Sequence, residues 1–306
     1  MRGVLYSCGK EPMMNIPAYP GKRPISLDDK PFLDEIFSAL QPRVSELTFA
    51  NLYLFRSAHA YCLTMVGDAL VVTGKGYGGE EYFLPPLTGD IASALKSLID
   101  EGLMLYGADE PFVDKYFQGG DVAVVADRDN FDYLHLRSEM AELPGNRFHK
   151  KKNRINYFTR RHAYRVEPYA DDHREGALQL LDEWYRVRSA VASGSLLPEV
   201  EATREALSLA EVLGLSGVVA LVEGRVRAFV LGERLNNDTS LCHFEKADPF
   251  LDGLNQLADR EFNRLLFTDC TFVNREQDLG KPNLRESKLS YHPVELIKKF
   301  RVLARQ

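Results

Sequence analysis

Two β-hairpin signals stand at matching places in the two halves of the chain. Residues 61–66 and 69–73 flank Gly67-Asp68, and residues 218–222 and 226–235 flank Glu223-Gly224-Arg225. Each hairpin lies in a similar succession of elements. Residues 1–23 are rich in proline and irregular, 25–27 read as a short strand, and Asp28 or Asp29 can cap a helix through Leu40. Phe32, Leu33, Ile36, Phe37 and Leu40 form its apolar face. Residues 49–55 are apolar and aromatic. Beyond the first hairpin come a strand at 82–84, a helix at 91–99, a strand at 103–106, a helix at 111–117, and strands at 122–126 and 131–136. The second half reads as a strand at 164–168, helices at 174–191 and 199–213, the hairpin, a strand at 239–244, a helix at 254–267, a strand at 270–273, a helix at 283–289 and a last strand at 298–303. The order of elements repeats without evident sequence identity, which predicts an α+β chain built twice over.

The length of 306 residues fits one large or two medium domains, and 45% hydrophobic with 27% charged residues is ordinary for a soluble globular protein. No apolar run approaches membrane-spanning length, and the N-terminus has no apolar segment long enough for a secretory signal. The four cysteines, Cys8, Cys62, Cys242 and Cys270, are scattered, with no Cys-x-x-Cys pair. That argues against a zinc knuckle or redox motif and for a reducing, cytoplasmic compartment. The seven histidines show no pair at metal spacing, so no metal is expected. Gly74-Lys75-Gly76-Tyr77-Gly78-Gly79 lacks the Gly-Lys-Ser/Thr ending of a phosphate loop and reads as a hairpin loop or flap.

Net charge is −6, yet residues 143–166 contain no Asp or Glu. They hold Arg147, Lys150, Lys151, Lys152, Arg154, Arg160, Arg161 and Arg165, with Phe148, Asn153, Asn156, Tyr157 and Phe158 between them. At helical spacing Arg147, Lys151 and Arg154 share a face, which suits phosphates, with aromatics for stacking on bases. A solvated linker helix between two domains is the alternative. The residues do not separate tRNA from coenzyme A, since both present phosphates and an adenine.

The other charged concentration follows the short apolar run at 270–273. It delivers Asn274, Arg275, Glu276, Gln277 and Asp278 to a strand end; Gly280 then breaks the chain and Pro282 opens a helix carrying Arg285 and Lys288 three apart. Sheets with parallel strands place ligands at such ends. A solvated turn of mutually satisfied ion pairs is the alternative reading.

The run Phe-Val-Asn-Arg-Glu-Gln-Asp-Leu-Gly-Lys-Pro-Asn-Leu-Arg-Glu-Ser-Lys-Leu-Ser-Tyr-His-Pro from Phe272 resembles the signature of bacterial proteins related to the catalytic domain of lysyl-phosphatidylglycerol synthases. These group with GNAT-like acyltransferases and the Fem-type aminoacyltransferases. Three further stretches resemble the same family: His243-Phe244-Glu245-Lys246-Ala247-Asp248 with Asp252-Gly253; residues 144–158; and residues 45–54. The resemblance implies a tandem of GNAT-like domains and transfer of an acyl or aminoacyl group. Residues 1–143 would form the first domain, 144–163 a basic linker helix, and 164–306 the second domain, carrying the site. The synthases carry membrane helices ahead of this domain; none is legible here, which counts against a lipid acceptor.

In GNAT-like domains the loop after His243-Phe244-Glu245-Lys246 lies where the acyl carrier's pyrophosphate binds. The glycine-rich loop of acetyl-coenzyme A enzymes is missing, and this departure favours aminoacyl-tRNA as donor, with acyl-coenzyme A as runner-up. A non-catalytic RNA-binding module is the reading from another class. No tightly bound cofactor is expected. For the enzyme, Glu276 or Asp278 would be the general base, Lys288 or Arg285 would stabilise the oxyanion, and Glu245 and Asn274 would orient the acceptor. Lys150, Lys151, Lys152, Asn153, Arg154, Lys246, Gly253, Arg285 and Tyr291 would hold the donor. The sequence leaves the acceptor open among a small molecule, a peptide, a peptidoglycan amine and a lipid headgroup.

Overall fold

The computed structural model describes residues 15–119, 121–189 and 196–305. Most of the irregular lead-in, Cys8 and the last two residues of the helix expected over 174–191 lie outside the described residues. In chain order the strands are β1 (Arg23–Pro24), β2 (Cys62–Val66), β3 (Ala69–Lys75), β4 (Glu81–Phe83), β5 (Met104–Asp109), β6 (Val122–Ala126), β7 (Asp132–Leu136), β8 (Tyr164–Pro168), β9 (Ser216–Val222), β10 (Arg225–Arg234), β11 (Thr239–Ala247), β12 (Phe272–Asn274), β13 (Glu295–Ile297) and β14 (Lys299–Ala304). They form two mixed seven-stranded sheets, ordered β1-β2-β3-β4-β5-β14-β6 and β13-β7-β12-β11-β10-β9-β8. Each sheet has one parallel pair of these strands, β4 with β5 and β11 with β12. Both expected hairpins form, as β2–β3 and β9–β10. The segment 49–55, read only as apolar and aromatic, is the helix Phe49–Leu54, which Thr48 caps by accepting from the Asn51 N–H.

The chain makes two compact units. One runs through Asp127 and takes back the segment from Lys298 onward; the other is Arg128–Ile297. The expected boundaries at 143 and 163 are therefore displaced. β7, from the first half of the sequence, joins the second sheet, while β14, the last strand, lies between β5 and β6 in the first. The basic helix His149–Thr159 belongs to the second unit. Phe148, Ile155 and Phe158 are buried in that unit's core with Val218, Ala220, Val230, Leu257 and Phe262.

In the first unit, Val71, Phe83, Leu95, Leu98, Ile99, Leu105, Ala108 and Val302 form a core cluster. β14 is also tied there by charge: Lys299, fully buried, donates to Glu46 at 2.6 and 2.8 Å and to Ser45 Oγ at 3.2 Å.

Gly253 is fixed by packing in the second unit. It has φ +93, and an added Cβ would lie 2.0 Å from the Arg154 carbonyl oxygen and 3.1 Å from Phe158 Cβ. Only glycine allows the start of the helix Leu254–Leu265 to approach the basic helix so closely. Gly253→Ala should destabilise the protein by roughly 1–3 kcal/mol from the backbone conformation alone, with more from the clash; urea unfolding of the two proteins measures it.

Candidate active site

β11 and β12 run parallel, with Thr239, Ser240 and Leu241 opposite Phe272, Val273 and Asn274. β12 then stops, while β11 continues to Ala247. The end of the pair therefore brings the second half of β11 near the segment from Arg275 to Asp278. That segment is anchored from β7: the Arg275 N–H donates to the Tyr133 carbonyl at 2.9 Å, and the Tyr133 N–H donates to the Glu276 carbonyl at 3.3 Å. Asn274 is fully buried, donates to Asp132 at 3.0 Å and accepts from the Glu276 N–H at 2.7 Å. It thus shapes the turn instead of orienting a substrate. Glu276 occupies the left-handed region at φ +54, a costly conformation for a residue with a side chain.

β11 carries one more residue than β10 at this point. Leu231 pairs with Phe244 and Gly232 with Cys242, so His243 is the extra residue of a β-bulge. The His243 side chain, 1% exposed, lies between two carboxylates. Its Nδ1 is 2.8 Å from Glu276 Oε1 and its Nε2 is 2.7 Å from Glu233 Oε1. Burial alone would lower the histidine's pKa, but hydrogen bonds to Glu233 and then Glu276 outweigh it and push it up to about 10.

Across the strand end lies a second polar cluster. Arg275 donates to Glu245 Oε2 at 2.6 Å and lies 3.3 Å from Asp259 Oδ2. Glu245 also accepts from Asn255 at 2.6 Å. The Tyr291 ring, nearly fully buried, is covered by the Arg275 guanidinium at 4.8 Å and the Lys151 ammonium at 3.9 Å. Lys151 donates to Ser290 Oγ at 2.7 Å, and burial, with the nearby Arg275 charge, lowers its pKa to about 8. Burial pushes the Asp259 carboxyl up against the pull of Arg275.

Several residues expected to act in chemistry are structural ties. Asp278 is fully buried and accepts from Arg128 at 3.1 Å, Arg285 at 2.8 and 2.9 Å, the Gly280 N–H at 2.8 Å, and the Tyr133 hydroxyl. Burial alone would raise its carboxyl; the Arg285, Tyr133 and Gly280 hydrogen bonds hold it far below the usual carboxylate range. That makes it an anchor and a poor base. Arg285 is taken up by Asp278 and Asp129. Lys288 donates to the Arg275 carbonyl and, at 2.6 Å, to the Gln277 carbonyl, so its ammonium pins the same turn; burial lowers its pKa to about 8. Lys246 points elsewhere, donating to Glu199 at 2.7 Å with its ammonium 4.6 Å from the Trp184 ring. Gly253 packs against the basic helix at Arg154 and Phe158.

The basic helix divides. Lys151 is in the polar cluster and Lys152 donates to the Gly145 carbonyl at 3.0 Å. Lys150, Asn153, Arg154, Tyr157, Arg160 and Arg161 are exposed. The Arg161 guanidinium stacks 3.6 Å from the Tyr157 ring, which leaves a cationic, aromatic surface. A recess of about 510 Å³ runs along the helix Pro282–Leu289, lined by Gly280, Pro282, Arg285, Glu286, Leu289 and Ser290. Cys242, beside these groups, is buried, and burial pushes its thiol pKa up, which disfavours the reactive thiolate. Sequence reasoning missed His243 and Glu233 as partners of Glu276, and Arg275 and Asp259 as the centre of the second cluster. The signal for His243 was its place in the motif shared with Glu245.

Among the described residues no helix is long and apolar enough to cross a membrane, and no group of three His, Cys, Asp or Glu residues is placed to hold a metal ion. A search of curated proteins finds no match. Among solved structures, a conserved protein of unknown function from Bacteroides thetaiotaomicron VPI-5482 is 28% identical, with a TM-score of 0.85 over 93% of this chain and 99% of that one. The C-terminal domain of a putative lysylphosphatidylglycerol synthetase from Agrobacterium fabrum is 10% identical, with a TM-score of 0.63 over 92% and 93% of the two chains. L-PGS from Bacillus licheniformis is 12% identical, with a TM-score of 0.55 over 83% and 90%. The last two likenesses are of fold. Residues 37–303 match the profile of the family described as phosphatidylglycerol lysyltransferase, C-terminal, and the chain belongs to that family.

Proposed function

We propose that the protein transfers an aminoacyl group from aminoacyl-tRNA to an amine or hydroxyl acceptor, with Glu276 as general base. Each unit is read as one GNAT-like domain, and the second carries the chemistry. The observation that carries the reading is the setting of Glu276. It lies just past the end of a parallel strand pair, in a costly backbone conformation, with its carboxylate 2.8 Å from the buried His243 ring and its side chain still 18% exposed. Strained backbone over-determined by its surroundings concentrates at functional sites.

In the reaction the acceptor's nitrogen or oxygen attacks the carbonyl carbon of the aminoacyl ester. Its proton passes to Glu276 as the new bond forms. The ester C–O bond then breaks, and the proton goes to the departing ribose oxygen. The exposed side of the basic helix supports tRNA as donor. Lys150, Arg154 and Arg160 are solvent-facing, and Tyr157 and Arg161 offer a stacked pair to a base.

That face makes a prediction of its own. Each phosphate contact releases counterions, so the logarithm of affinity should fall linearly with the logarithm of salt concentration. Replacing Lys150, Arg154 and Arg160 together by Gln should weaken tRNA binding and flatten the slope by roughly 2 to 3 units. Stability should hardly change, since exposed charges contribute little. Titrations of both proteins at several salt concentrations decide it; an unchanged slope removes this face from the donor site.

The reading as a whole is tested by incubating the protein with a cell extract and either labelled aminoacyl-tRNA or labelled acyl-coenzyme A. Label should move from the tRNA to a new product. Movement only from coenzyme A, or tRNA binding without turnover, would sink the proposed donor or the proposed catalysis respectively.

A further inference from the structure

One ring links three neighbours in the second sheet. His243 is on β11, Glu233 on β10, and Glu276 on the turn after β12. As the extra residue of a bulge, His243 is released from the strict alternation of its strand. Its two nitrogens lie 2.7 and 2.8 Å from the two carboxylates. A neutral imidazole has one N–H, so its other nitrogen would set a lone pair against a carboxylate oxygen. Both contacts are favourable only when both nitrogens carry protons. The charged groups facing the ring are Glu233 from β10 and Glu276 from the turn; its neighbour Phe244 is the nearest aromatic ring, at 5.9 Å. Glu276 is otherwise held through its backbone, by Asn274 and Tyr133, which leaves the aim of its carboxylate to His243.

We infer that His243 is a positioning residue, a cross-strand imidazolium clamp that holds and aims the Glu276 carboxylate, with Glu233 as the clamp's second anchor. The inference rests on the reading of Glu276 as the base. Because the raised histidine pKa, about 10, lies above the unfolded value of roughly 6.5, the clamp contributes stability that is fully present below about pH 6.5. That contribution is lost as pH rises through about 10.

The test combines a spectroscopic readout with kinetics. In the ¹⁵N NMR spectrum at pH 8, the His243 ring should show both nitrogens protonated. Glu276→Gln and Glu233→Gln should each lower its titration midpoint by a unit or more. In transfer assays His243→Gln should lower kcat by roughly 10–100-fold, by analogy with the loss of the outer partners that orient metal ligands. KM should change little. A ring carrying one proton at pH 8 in the wild-type protein overturns the clamp, and that measurement does not depend on any variant folding. An unchanged kcat per folded molecule in His243→Gln also overturns it. Full activity in Glu276→Gln contradicts the reading of Glu276 instead, and leaves the NMR result standing as a separate fact.

Discussion

Glu276→Gln should lower kcat for transfer by roughly 10²–10⁴-fold, the contribution typical of a positioned general base. The amide is nearly isosteric and can still accept from His243 through its oxygen, so folding should survive. KM for the donor should be little affected, because the basic face that would bind it is on another element, the helix His149–Thr159. Asp278→Asn separates the two carboxylates that the sequence alone left as equal candidates for the base. Asp278 holds Arg128, Arg285, Tyr133 and the Gly280 N–H together in a buried position. Losing its charge should therefore appear chiefly as lost stability, with remaining kcat per folded molecule much closer to wild type. Steady-state kinetics corrected for folded fraction by urea titration give both numbers. Equal losses of kcat in the two variants would contradict the assignment.

Lys299→Met should strongly destabilise the first unit. Its ammonium is fully buried and meets both Glu46 oxygens. Removing it leaves the Glu46 carboxylate buried without that counter-charge, a change that typically costs about 3–5 kcal/mol. The double variant Glu46→Met with Lys299→Met should recover much of the loss, since replacing a whole buried pair by apolar groups is often neutral. Equilibrium urea unfolding of the single and double variants measures the coupling. A single variant within about 1 kcal/mol of wild type would show that the pair contributes little.

The elements themselves were largely legible. Apolar periodicity and turn residues located both hairpins and most helices to within a few residues, because those signals are local. Sheet membership was not. β7 and β14 are short strands of mixed polar and apolar residues, and nothing in Asp132–Leu136 or Lys299–Ala304 says which sheet each joins. Their exchange between the two halves moved the domain boundaries to Asp127 and Lys298.

The site shows a similar division. The segment from Asn274 to Asp278 was visible as a charged strand end, and Glu245 as a second contributor. Which of those charges are already consumed was not visible, because that depends on partners distant in sequence. Asp278 is held by Arg285 seven residues on, and also by Tyr133 and Arg128, 145 and 150 residues away. His243 meets Glu276 across 33 residues, at a bulge that no local pattern announces. On the basic helix, Lys151 is turned into the protein and Lys150 is not, because Phe148, Ile155 and Phe158 fix the rotation of the helix against the core.

The most direct measurement of the central claim is single-turnover transfer from labelled aminoacyl-tRNA in the presence of extract acceptors, with wild-type protein beside Glu276→Gln. The expected result is loss of label from tRNA and its appearance in a new product with the wild type, slowed by at least about 10²-fold in the variant. Label that stays on tRNA with both proteins, or leaves it at the same rate with both, would contradict the assignment of aminoacyl transfer to the end of the β11–β12 pair.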